Sequence, residues 1–232
     1  MGEALGWGAL AASSLVIGAF LGLARQWPKA QIGAVLAFGA GALISAVSFE
    51  LVEEGQKLAD RGWVALGLAL GALVYFAADR QVGRSASASG AGPALALGAF
   101  LDGIPEQAVL GIGIAAGNGV SIALLGAIFV SNLPEAIGGA SEMRAARTSP
   151  KQIRRLWIAV AVVCTLACLG GWAIADVSGN NFTGAVNGFA AGALLVMLVD
   201  TMIPDATKKL GRPAGLVTTL GFAVATGLSG LS

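Results

Sequence analysis

The 232 residues carry 14 Lys and Arg against 13 Asp and Glu, a net charge of +1, and no histidine. With 56% apolar and 12% charged residues and a mean hydropathy of +0.80, the chain is too apolar for an ordinary soluble domain. The near-neutral balance offers no basic surface for nucleic acid; the composition instead indicates an all-α integral membrane protein, one domain over 1–232, with the lipid bilayer as its partner.

A hydrocarbon core about 30 Å thick needs about 20 apolar residues per helix. By that measure eight transmembrane helices are expected, at approximately Ala4 to Ala24, Gln31 to Val52, Gly62 to Ala78, Ala94 to Ala116, Val120 to Ser141, Leu156 to Ala175, Phe182 to Ile203 and Ala214 to Leu231. The first has Glu3 and no Lys or Arg before it. It lacks the basic n-region of a signal peptide and is expected to stay in the mature protein.

The loops alternate in charge. Arg25 and Lys29, Arg80 and Arg84, the group Arg144, Arg147, Lys151, Arg154 and Arg155, and the group Lys208, Lys209 and Arg212 all fall in the first, third, fifth and seventh loops, 12 of the 14 cationic residues. Cationic short loops stay in the cytoplasm, so both termini are expected to be extracytoplasmic. The stretch 79–93, with its Ser-Ala-Ser-Ala-Ser-Gly run, is expected as a flexible cytoplasmic loop between the third and fourth spans. The short loops fit a bacterial inner membrane, where the protein would be multi-pass.

Thirty-five glycines, including Gly67-x-x-x-Gly71, Gly113-x-x-x-Gly117 and Gly188-x-x-x-Gly192, suit close helix packing and permit a homodimer. Cys164 and Cys168 lie four apart on one face of the sixth span. Packing as small apolar side chains is the expected use of such a pair, soft-metal ligation the rarer one.

The chemistry concentrates in one pattern written twice, Phe100-Leu101-Asp102-Gly103-Ile104-Pro105-Glu106 and Phe129-Val130-Ser131-Asn132-Leu133-Pro134-Glu135. Each Pro deletes a helical hydrogen bond, and a carboxylate in hydrocarbon costs roughly 2.5 to 3.5 kcal/mol even on lenient scales. Paying twice in adjacent spans points to a cation path. Residues four apart share a helix face, so Asp102 approaches Glu106, and Ser131 and Asn132 approach Glu135. The metal ligands expected are Asp102, Glu106, Asn132 and Glu135, with Ser131 and Gln107 as additional oxygen donors and Glu142 and Asp200 as further candidates along the path. Three carboxylates so close cannot all stay ionised without a cation or a proton among them.

The two patterns are 29 residues apart in antiparallel spans, and a second echo relates Gly41-Ala42-Leu43 with Glu54 to Gly192-Ala193-Leu194 with Asp205. Inverted repeats flanking a central pair of spans are expected.

These residues resemble the ZIP family of divalent-metal transporters, whose pattern in the fourth and fifth helices is His-Asn-x-Pro-Glu-Gly. Here the stretches read Asp102-Gly103-Ile104-Pro105-Glu106-Gln107 and Ser131-Asn132-Leu133-Pro134-Glu135-Ala136, and Ile203-Pro204-Asp205 is similar to the Ile-Pro-Glu ending of the family's seventh helix. The resemblance covers essentially the whole chain. It implies eight helices with the fourth and fifth central, and transport of a divalent cation, zinc, manganese or iron, toward the cytoplasm. Both metal-ligating histidines of the family are replaced, by Asp102 and Ser131. The oxygen donors that remain suit manganese, magnesium or ferrous iron better than zinc.

No enzymatic activity is expected, since neither the Gly-x-Gly-Asp step of aspartyl membrane proteases nor a His-Glu-x-x-His zinc motif occurs. The competing reading is a non-transporting ZIP-like sensor or scaffold that has lost the zinc-type site.

Overall fold

Apolar runs that must satisfy every N–H and C=O away from water have few conformations open to them, and helix is the simplest. The computed structural model describes the backbone of residues 1–89, 91–115, 120–177 and 179–229, and the side chains of 1–81, 100, 103–115, 120–175 and 179–229. Among the described residues the fold is helical throughout, with no strand.

In chain order the helices are α1 (Gly2–Ala24), α2 (Lys29–Ala46), α3 (Glu54–Leu58), α4 (Arg61–Ser89), α5 (Ala91–Ala115), α6 (Ile122–Ala145), α7 (Pro150–Val177), α8 (Asn180–Met197), α9 (Ile203–Leu210) and α10 (Ala214–Ser229). Two π-helical turns, Val47–Glu53 and Leu198–Met202, join α2 to α3 and α8 to α9. Each begins six residues after its member of the echoed glycine pair, Gly41 or Gly192. The echo in sequence is therefore also an echo in backbone irregularity.

Six stretches are long and apolar enough to cross a membrane among the described residues: Gly2–Ala24, Lys29–Leu58, Arg61–Gln81, Ile122–Ala145, Pro150–Ala175 and Asn180–Leu210. The second and sixth run well past the expected ends at 52 and 203, because the π turns carry the helix onward instead of stopping it. The last expected span is a shorter apolar helix, Ala214–Ser229. The fourth coincides with α5, much of whose first half has side chains outside the described residues. The loop expected over 79–93 falls mostly on 82–99, whose side chains also lie outside them, while the backbone of α4 is helical to Ser89.

Local chemistry ends the helices. Ser121 caps α6, its hydroxyl accepting from the Leu124 N–H at 3.1 Å. Ser149 and Gln152 form a reciprocal capping box before α7. Gly211, at φ 79°, closes α9 in a conformation that costs a side chain strain.

Lipid tails are as apolar as leucine, so packing and not hydrophobicity must hold such helices together. Glycine supplies the packing in four pairs. Gly18 and Gly22 of α1 press on the Leu133 and Ile137 carbonyls of α6; Gly67 and Gly71 of α4 press on Ala185 and Phe189 of α8. Gly221 of α10 meets Phe38 of α2, and Ser45 of α2 bonds Thr226 of α10 at 2.9 Å. Gly103 and Gly171 bring α5 and α7 together at Cys164 and Ala108. Residue numbers rise together in all four pairs, so the paired helices run in the same direction. Gly113 does not take part in this packing: a Cβ there would meet nothing within 4 Å, because its face of α5 borders a cavity.

Candidate functional site

Pro105 and Pro134 both lie inside helices, α5 and α6. Without an N–H at Pro134, the Val130 carbonyl loses its helical partner. Pro-Glu steps thus place oxygen-rich backbone and a carboxylate at one depth in each helix.

The two helices meet at Glu106 and Ser131. Glu106 is 1% exposed and Ser131 2%, and the Ser131 hydroxyl lies 3.4 Å from Glu106 Oε1 while donating to the Ile128 carbonyl at 3.0 Å. Ser131 can sit so deep because Gly39 of α2 lies against its backbone; a Cβ at Gly39 would come within 3.0 Å of the Ser131 Cα.

Gln107 and Asn132 are equally buried, at 0% and 1%. Neither the Gln107 amide nitrogen and oxygen nor the Asn132 amide nitrogen has a hydrogen-bond partner among the described residues. Orphaned polar groups of this kind cost about 1–3 kcal/mol each, and native structures keep few of them without a reason. Glu135 is half-buried on α6, one turn beyond Ser131.

Five of the expected residues, Glu106, Gln107, Ser131, Asn132 and Glu135, thus fall on adjoining parts of α5 and α6. The side chain of Asp102 lies outside the described residues. Glu142 and Asp200 are exposed; Asp200 borders an outer groove walled by Leu68, Phe76 and Val199, away from the buried group. Among the described residues, no three His, Cys, Asp or Glu side chains stand close enough together to hold a metal ion.

A cavity of about 810 Å³ opens at one end of the bundle. Glu50, Glu53, Glu54, Lys57 and Asn187 line it, and Leu110, one turn beyond Glu106, forms part of its wall. Lys57 bridges Glu53 at 3.1 Å and Glu54 at 2.6 Å, which leaves the mouth net acidic. At the opposite end Lys209 pairs with Asp205 at 2.8 Å and reaches toward Gly138, one turn beyond Glu135.

Three participants escape sequence reasoning. Gly39 and Gly103 look like any other membrane glycine, and Asn187 is an isolated amide in α8. Only the pairing of helices gives them a role.

No family model matches the chain. Among curated proteins it is similar to one from Arabidopsis thaliana named "Putative zinc transporter", 28% identical over 218 residues, a match covering 89% of this chain and 34% of the relative. The chain spans about a third of the length of that relative.

Proposed function

We propose that the chain is a multi-pass divalent-cation transporter of ZIP type, in which the ion passes between α5 and α6 by way of Glu106, Asn132, Glu135 and Asp102. The observation that carries this reading is the buried Glu106 carboxylate facing Ser131 across two proline-containing helices. Similarity to a protein named as a zinc transporter supports the same class of activity.

Packing supports an eight-crossing topology. Segments that cross a bilayer in the same direction must have an odd number of crossings between them. The same-direction pairs α1 with α6, α2 with α10, α4 with α8 and α5 with α7 meet that condition when α5 and α10 both count as crossings. Exchanging α1 with α7, α2 with α8, α4 with α10 and α5 with α6 carries one set of pairs onto the other. Such an exchange is what an inverted repeat centred on α5 and α6 requires. With the basic loops in the cytoplasm, the acidic cavity faces outward and serves as the entrance, and the ion moves inward.

Chemically, two carboxylates offset the charge of a dication, and the amides of Asn132 and Gln107 replace part of its hydration shell. Ser131 holds Glu106 in position. Zinc, manganese and iron are all cargo for such a donor set, with a cell membrane as the setting.

The test is uptake of manganese, iron, zinc, cobalt, cadmium and magnesium into proteoliposomes holding the full chain or its Glu106→Gln variant. Saturable flux lost in a variant that still inserts supports transport. Absence of flux for every ion, in folded protein inserted both ways, overturns it in favour of a sensor or scaffold.

A further inference from the structure

Asp200 lies within the apolar stretch Asn180–Leu210 yet is exposed on the outside of the bundle. Among the described residues it has no cationic partner. A lone charge facing hydrocarbon is costly, and such charges are usually paired. Asp200 sits in the π turn Leu198–Met202 with Val199 exposed beside it, and π turns are concentrated at functional sites.

The opposite charge stands at about the same depth on α4. Gly188 and Gly192 of α8 meet the Val64 and Leu68 carbonyls of α4, so eight residues further along these parallel helices Asp200 comes level with Phe76. The Arg80 guanidinium stacks on the Phe76 ring, 5.3 Å from its centroid, and has no carboxylate partner among the described residues. Acid and base thus flank one place without bonding to each other. Beside them runs a groove of about 410 Å³, within the usual size of a ligand pocket, that both Phe76 and Asp200 line. Its walls include Leu73 and Val199, 65% and 62% exposed, so it opens away from the bundle and onto the bilayer.

We propose that this groove holds one phosphatidylethanolamine molecule of the bilayer, with an acyl chain between Leu73 and Val196, its phosphate on Arg80 and its primary ammonium on Asp200. The inference is separate from the transport reading and needs only that α4 and α8 cross a membrane. A zwitterionic headgroup matches an acid and a base held apart. Guanidinium binds phosphate through paired N–H donors, and a primary ammonium has N–H groups for a carboxylate to accept. Phosphatidylglycerol would bring a second negative charge beside Asp200, and the quaternary ammonium of phosphatidylcholine has no N–H to donate. With the basic loops in the cytoplasm, the headgroup belongs to the inner leaflet. Such a lipid bridges α4 to the π turn and, by binding only the folded bundle, stabilises it.

Native mass spectrometry of the full chain in detergent, titrated with phosphatidylethanolamine, phosphatidylcholine or phosphatidylglycerol of identical acyl chains, tests this directly. The ethanolamine lipid should bind ahead of the others. Its affinity should fall roughly tenfold or more in D200N and in R80Q, as the loss of one charge-assisted hydrogen bond implies. The same lipid should raise the unfolding temperature of the unsubstituted protein and raise it less in each variant. Both positions are exposed, so the variants should fold. If either does not, Leu73→Trp replaces it, filling the groove from its exposed rim and displacing the lipid while Asp200 and Arg80 remain. Equal binding of all three lipids, or binding unchanged in D200N and R80Q, identifies ordinary annular lipid and overturns the proposal. A preference for phosphatidylglycerol that needs Arg80 alone also overturns it. Ion flux enters neither readout, so a failure of the transport reading leaves this result standing.

Discussion

The Ser131 hydroxyl on α6 divides its single proton between the Ile128 carbonyl at 3.0 Å and Glu106 Oε1 of α5 at 3.4 Å. The bond to its own helix is the shorter, so the one to Glu106 is a restraint on a carboxylate and not its main partner. Removing it should be felt but tolerated. Ser131→Ala is expected to raise the half-saturating ion concentration about fivefold, the equivalent of roughly 1 kcal/mol for one hydrogen bond. Glu106→Gln, by contrast, should abolish uptake. Initial rates in proteoliposomes against ion concentration measure both; equal losses in the two variants would sink the distinction.

Gln107 offers a trade between stability and activity. Its amide is buried without a partner for either atom among the described residues, so an apolar side chain of similar shape should relieve the cost. Gln107→Met is expected to stabilise the folded protein by about 1–2 kcal/mol and to slow ion uptake. Thermal unfolding in detergent reads the first effect and liposome flux the second. A less stable Gln107→Met protein would show that the amide is satisfied in the native state.

Glycine contacts divide into those that matter and those that do not. At Gly71 a Cβ would strike the Phe189 carbonyl, whereas at Gly113 it would meet nothing within 4 Å. Gly71→Ala should lower stability by about 1–3 kcal/mol, as overpacking does, with Gly113→Ala close to neutral. Comparing the two melting temperatures decides whether α4 and α8 pack as tightly as described.

The acidic mouth should act on ion capture alone. Glu53 and Glu54 are partly exposed and share Lys57, so neutralising both as Gln removes attraction for cations without touching the buried group. Half-saturation should rise severalfold at low ionic strength, the maximal rate should hold, and the difference should shrink in salt as the charges are screened. A salt-independent effect would instead indicate direct ligation.

Hydropathy and charge alternation were enough to make this chain a multi-pass helical membrane protein, because crossing hydrocarbon leaves little choice of secondary structure. The doubled Pro-Glu pattern made Glu106, Ser131, Asn132 and Glu135 candidates, because carboxylates and prolines within apolar runs are expensive enough to be conspicuous in a single chain, and the structure puts them on adjoining parts of α5 and α6. Helix ends were less legible. Nothing in the composition of 47–53 or 198–202 announces a π turn, and these carry two helices beyond the expected limits.

Partner choice lay beyond the reach of local pattern. Gly39, Gly103 and Gly113 are the same residue in similar surroundings along the chain, yet one admits Ser131, one faces Cys164 and one borders a cavity. Cys164 and Cys168 share a helix face, but only the assembled bundle puts one thiol in an apolar cluster with Leu15 and Trp157 and the other against the Ala4 carbonyl. Periodicity sets which residues share a face; which helix that face meets depends on contacts between segments distant in the chain, and those exist only once the bundle is assembled.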